Sequence, residues 1–145
     1  MDECESQADH AHLVNGLGAR NAAQAAGEVG AAILVLSTDY VFPGDGIRPY
    51  REYDPTGPRS VYGAAKLAGE VGARELNPRH LIVRTAWLYG QGGANFVDTI
   101  LARARSGEPL RVVDDQRGSP TSTSDLAPAL VRLAEAGQYG TYHCT

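Results

Sequence analysis

The chain has 145 residues, 43% hydrophobic and 21% charged, with a formal net charge of −4 at pH 7. That is the balance of a single globular domain, and its acidity argues against bulk attraction to nucleic acid or an anionic membrane surface. No apolar run approaches the ~20 residues of a membrane span, Met1-Asp2-Glu3 is an unlikely start for a signal peptide, and the two cysteines, Cys4 and Cys144, stand far apart without metal-ligand spacing; reduced thiols and a cytoplasmic location are expected.

The first thirty residues read as one long helix. Ala8, Ala11, Val14, Gly18, Ala22, Ala25, Ala26 and Val29 recur at intervals of three to four and form the expected inner face, with Asp9, Arg20 and Glu28 outward. Gly30 is the expected stop. Gly16-Leu17-Gly18 imitates the opening of a dinucleotide fingerprint, but it lies inside the helical pattern, where glycine signals close packing. His10 and His12, two residues apart, fall on different helix faces and do not form a metal pair.

Ile33-Leu34-Val35-Leu36 is a short apolar run that ends in Ser37-Thr38-Asp39-Tyr40-Val41-Phe42, the signature of a buried strand over 33–37 in a parallel sheet. Residues 43–60 carry four prolines and three glycines and read as a long ordered loop. A helix is expected over 60–76, with Val61, Ala64, Ala65, Ala68, Val71 and Leu76 inward and Tyr62, Lys66 and Glu70 on a polar stripe. A second strand follows over 81–88. Beyond a glycine-rich turn comes a helix over 95–106, with Phe96, Val97, Ile100 and Leu101 inward. The remaining elements are a short strand over 110–113, a helix over 123–136 and a final strand over 139–144. Strands alternating with helices place the chain in the α/β class.

Ligands of open α/β sheets bind beyond the carboxyl ends of the strands, which is where Thr38 and Asp39 fall. Tyr62 and Lys66, at i and i+4, share one helix face. A hydroxyl, a carboxylate, a phenol and an ammonium can thus converge on one ligand. A rival arrangement is the strand 81–88, the turn Gly90-Gln91-Gly92-Gly93, the next helix, the strand 110–113 and Asp114-Asp115, which follow the order of a nucleotide-binding βαβ unit. Asn95 occupies the place of the third glycine and reads as a helix cap instead.

Six blocks then appear in order: Ser37-Thr38-Asp39-Tyr40-Val41-Phe42; Pro49-Tyr50-Arg51-Glu52; Val61-Tyr62-Gly63 with Lys66-Leu67-Ala68-Gly69-Glu70; Arg84-Thr85-Ala86-Trp87-Leu88-Tyr89-Gly90; Asn95-Phe96; and Asp115-Gln116 with Gly118-Ser119-Pro120-Thr121. Together they resemble the dTDP-4-dehydrorhamnose reductases, which are extended short-chain dehydrogenase/reductases. The resemblance covers essentially the whole chain and about the middle half of the family's length, without the family's glycine-rich cofactor loop and part of its carboxyl-terminal substrate region. It implies an incomplete Rossmann-like, doubly wound parallel sheet, with 1–90 and 123–145 in the core and 91–122 in a small substrate-binding region.

The implied chemistry is reduction of a sugar-nucleotide 4-ketone with NADPH, NADH being the alternative. Tyr62 would supply the proton, with its phenolate stabilised by Lys66, and both residues would contact the cofactor. Thr38 would hydrogen-bond the ketone oxygen, and Asp39, Trp87 and Gln116 would hold the substrate. Asn15 resembles a helix asparagine used by some relatives in a proton relay, but a structural role is the expectation. Some members bind magnesium; here Thr121-Ser122-Thr123-Ser124 offers no acid before Asp125, so no metal site is assigned. By itself the chain is expected to bind NADPH weakly or not at all and to turn over no sugar nucleotide, with strand 33–37 presenting an unpaired apolar edge. Two other functions share this likeness. A sugar-nucleotide 4,6-dehydratase would carry Glu after Thr-Asp, where Tyr40 stands. A non-catalytic relative, such as the regulatory subunit of methionine adenosyltransferase, would share the Ser-Thr-Asp-Tyr-Val-Phe block. The sequence leaves the oligomeric state open.

Overall fold

The amino-terminal helical pattern folds as a broken helix. In the computed structural model, which describes residues 2–93, 95–107 and 109–145, α1 (Asp2–Ser6) stops at Gln7, whose backbone leaves the helical region at φ −127° and ψ 57°. It is followed by α2 (Ala8–Ala11), a π-helical stretch His12–Leu17, and α3 (Gly18–Glu28). The wider π turn inserts residues relative to an α-helix and rotates everything beyond it. The inward face therefore differs from the expected one. Ala11, Gly16 and Ala23 are buried, with Asn15, Ala19, Ala26 and Gly27 half-buried, whereas Ala8, Val14, Gly18, Ala22, Ala25 and Val29 are exposed. Gly30 ends the helix at φ +68°, a left-handed conformation open to glycine at little cost.

β1 (Ile33–Thr38), α4 (Val61–Leu76) and β2 (His80–Thr85) form a parallel β-α-β crossover, and β5 (Gly140–His143) adds to the far side of β2, also in parallel. The sheet order is β1-β2-β5. Among the described residues β1 has only β2 as a ladder partner, so it is an edge with Leu36 39% exposed. The core lies between this sheet and the α3–α4 pair: Ala23, Val35, Ala73 and Ile82 are buried together, flanked by Ala19, Ile33 and Leu76.

α4 meets α3 through small residues. A Cβ on Gly16 would touch the Ala68 methyl at 3.3 Å, so the Gly16-Leu17-Gly18 sequence serves packing, not a nucleotide. The buried face of α4 is Gly63, Ala65, Gly69, Glu70, Gly72 and Ala73. Ala68 and Val71 are exposed and Glu70 is fully buried, so the expected polar stripe does not include Glu70.

The second expected strand ends at Thr85. After a break at Ala86 and Trp87, β3 (Leu88–Tyr89) pairs in parallel with β4 (Thr121–Ser122), which the sequence pattern did not reveal. α5 (Phe96–Ser106) begins after Asn95, whose side chain accepts the Asp98 N–H. Of its expected inward residues Val97 and Ile100 are half-buried, but Phe96 is 57% and Leu101 45% exposed. The expected strand at 110–113 is not formed: these residues are exposed and pair with no strand among the described residues. That removes the distal strand of the rival βαβ unit. α6 (Thr123–Ala136) packs on β2 and buries Leu126.

Candidate active site

Thr38 closes β1 and caps the 3-10 turn Asp39–Val41. Its Oγ1 accepts the Tyr40 N–H at 3.2 Å and donates to Asp39 Oδ1 at 3.0 Å. Both groups sit at the carboxyl end of the sheet. Asp39 is half-buried, and burial pushes its carboxyl above the ordinary value despite the Thr38 hydroxyl.

The start of α4 is held against this turn from three sides. Ser60 accepts the Gly63 N–H at 3.0 Å, and the Glu5 carboxylate of α1 accepts the Val61 and Tyr62 N–H groups at 3.3 Å each. An acid at these otherwise unpaired donors also suits the positive end of the helix. On the third side, Gly63 lies so close to the Tyr40 carbonyl that no Cβ fits. The result is that Tyr62 faces the turn after β1. Its ring meets that of Tyr40 edge-on at 6.0 Å, and the Thr38 hydroxyl is near enough to influence its phenol, although the hydrogen bonds of Thr38 go to Asp39 and Tyr40.

Burial raises the Tyr62 phenol above its ordinary value; the Thr38 hydroxyl opposes this, and Cys4, Asp39 and Tyr40 reinforce it. The phenol is therefore a protonated group at neutral pH. Lys66, one turn further, is half-buried and makes no side-chain hydrogen bond or ion pair among the described residues. Desolvation lowers its ammonium below the usual lysine range, with Glu70 acting in the opposite sense.

Trp87 leaves the end of β2 with φ 47°, the single non-glycine residue with positive φ among those described. For a bulky side chain that is a strained backbone of the kind found where a side chain must be aimed. Its ring lies 6.3 Å from Phe96, and a Cβ on Gly118 would strike the indole. Gln116, by contrast, is exposed within an exposed stretch and makes no side-chain hydrogen bond among the described residues. Asn15 donates to the Ala11 carbonyl at 3.2 Å, a bond within its own helix. No group of three or more His, Cys, Asp or Glu side chains could hold a metal ion among the described residues.

Sequence patterning missed the cluster behind these groups. The fully buried Glu70 carboxylate accepts from Ser37 Oγ at 2.5 Å, from Arg84 Nε at 2.8 Å and Nη2 at 2.7 Å, and from Arg74 Nη2 at 2.6 Å. Burial alone would raise its pKa, but Arg84, Ser37 and Arg74 outweigh it and hold the carboxyl below the ordinary value. Arg84 also donates to the Glu52 carbonyl at 3.2 Å and lies 4.9 Å over the Phe42 ring, while Glu52 Oε1 accepts the His143 N–H at 3.1 Å. Glu52 of loop 43–60 is thereby joined to β2 and β5. The available signal was Arg84 itself, a charged residue inside an apolar strand, which requires a buried partner.

With the geometry in place, comparison with known proteins is informative. Residues 1–145 match the model of the RmlD substrate binding domain. A dTDP-4-dehydrorhamnose reductase of Streptomyces griseus is 53% identical over 100% of this chain and 50% of its own. The reductase of Escherichia coli is 43% identical over 99% of this chain and 50% of its own. A crystal structure of the Bacillus anthracis dTDP-4-dehydrorhamnose reductase in complex with NADP superposes with a TM-score of 0.94 at 44% identity, covering 99% of this chain and 51% of that one. The chain spans about half the length of the curated relatives it matches. It carries part of the reductase fold, and it belongs to the dTDP-4-dehydrorhamnose reductase family.

Proposed function

We propose that the protein carrying this chain reduces the 4-keto group of dTDP-4-dehydro-L-rhamnose to dTDP-L-rhamnose with NADPH, in the cytoplasm. The observation that carries this is the Thr38 hydroxyl near the Tyr62 phenol at the carboxyl end of β1, with Lys66 one helical turn away. Reduction of a ketone needs a hydride on carbon and a proton on oxygen. The nicotinamide cofactor supplies the hydride when bound. The half-buried Lys66 ammonium, without a partner among the described residues, fits a ribose hydroxyl acceptor.

Tyr62 is suited to the proton, since burial keeps the phenol protonated at neutral pH. Thr38 can turn its hydroxyl from Asp39 to the substrate oxygen as negative charge develops there. Lys66 then stabilises the phenolate left behind through its charge. Asp39 accepts a sugar hydroxyl and Trp87 covers the apolar face of the ring in this reading. Gln116 and residues 91–122 belong to the same substrate region in this reading.

The test is Tyr62→Phe in the full-length protein, assayed for NADPH oxidation with the 4-keto sugar nucleotide. Removing a positioned proton donor costs about 10²–10⁴ in rate, with cofactor affinity retained. Activity within tenfold of wild type would falsify the assignment.

A further inference from the structure

The reductase reading uses Thr38, Tyr62 and Lys66 but leaves unused the most deeply buried charge in their neighbourhood. We propose that Glu70 is a positioning residue for the reduction: its carboxylate ties α4 to the end of β1 and so fixes the Tyr62 phenol and the Lys66 ammonium against Thr38. This rests on the reductase reading.

Three observations support it. First, the bonds of Glu70 reach the elements that carry the reacting groups. Ser37, its 2.5 Å donor, immediately precedes Thr38 in β1. Arg84, which donates twice, is the register partner of Ser37 in β2. Holding Ser37 against α4 fixes the strand end from which Thr38 caps the following turn.

Second, Glu70 lies four residues beyond Lys66 and eight beyond Tyr62, along the α4 turns that carry both. Elsewhere α4 meets the amino-terminal helical segments through close small-residue contacts at Gly16, Gly69 and Gly72 and, at its C-cap, through Asn77, which donates to the Ala23 carbonyl at 3.4 Å. The Glu70 carboxylate takes three directed donors from the sheet, one from Ser37 and two from Arg84, which resist both sliding and rotation of α4, while Arg74 supports it from within the helix.

Third, a buried ion pair is commonly no more stabilising than apolar residues of the same volume. Stability alone therefore gives little reason for a fully buried glutamate at this position. Fixing geometry does, because a small misplacement of a reacting group is expensive in rate.

The test compares wild type, Glu70→Gln and Ser37→Ala in the full-length protein, by steady-state kinetics with NADPH and the 4-keto sugar nucleotide and by thermal unfolding. Ser37→Ala removes one bond and leaves the Glu70–Arg84 pair in place. The expected result is kcat lowered at least tenfold in Glu70→Gln and about three- to tenfold in Ser37→Ala, with KM for the sugar nucleotide changed less than twofold. If Glu70→Gln does not fold, Ser37→Ala decides alone. A Ser37→Ala enzyme with wild-type kcat overturns the proposal, as does a fall in kcat accompanied by a proportionate rise in KM and loss of thermal stability. A wild-type protein with no reductase activity overturns the underlying reading as well, which separates the two failures.

Discussion

Gly63→Ala isolates how closely the catalytic helix approaches the sheet. A methyl at residue 63 would overlap the Tyr40 carbonyl and come within 3.0 Å of Pro58 Cβ. Tyr40 belongs to the 3-10 turn capped by Thr38, so its backbone cannot yield without disturbing the site. The start of α4 must then retreat by about 1 Å to restore van der Waals contact. Overpacking of this kind costs roughly 1–3 kcal/mol, offset by the ~1 kcal/mol gained when alanine replaces glycine in a helix. Net destabilisation should be about 0–2 kcal/mol, visible as a shift in the urea midpoint.

The catalytic effect should be far larger. Moving the phenol by ~1 Å from Thr38 is expected to cost about a hundredfold in kcat. The assay is NADPH oxidation by the full-length variant at saturating substrate, alongside its unfolding curve. A folded Gly63→Ala enzyme with kcat within threefold of wild type would refute the reasoning, because the close approach would then have no bearing on the alignment of Tyr62.

Other outcomes follow from the same geometry. In the pH–rate profile, activity should be level near neutrality and fall as Lys66 loses its proton, at a pH below the ordinary lysine value of ~10.4, because burial depresses the ammonium while raising the Tyr62 phenol; an alkaline limb at or above that value contradicts the assignment. Arg84→Met removes the two Arg84 bonds and leaves the buried Glu70 carboxylate only Arg74 and Ser37, and should cost up to about 3–5 kcal/mol in denaturant unfolding at pH 7. Since the folded Glu70 carboxyl is held below its ordinary value, its contribution is complete above the unfolded pKa of ~4.3 and is lost as the pH falls through the folded value, so the Arg84→Met deficit should shrink in acid. Trp87→Ala should raise KM for the sugar nucleotide roughly tenfold, the equivalent of about 1.4 kcal/mol of lost contact, with little change in kcat; an unaltered KM would place the indole outside the substrate site.

Much of this molecule could be read along the chain because the deciding interactions are local. The apolar run at 33–36, the serine cap before Val61, the asparagine cap before Phe96 and the helix stop at Gly30 depend on neighbours a few residues away, and the fold follows them. The i, i+4 spacing of Tyr62 and Lys66 likewise puts them on one helix face before any tertiary contact forms. What needed the tertiary structure was every feature set by a distant partner. The π turn at His12–Leu17 rotates the face that α3 presents, and residues 110–113 have no strand to pair with among the described residues. The pairing of β3 with β4 joins segments more than thirty residues apart. Glu70, on a helix pattern that reads as polar surface, is buried because Arg84 and Ser37 arrive from two strands to neutralise and bond it. A lone carboxylate belongs in water by sequence rules; only long-range charge compensation makes its burial affordable, and that compensation is a property of the folded chain.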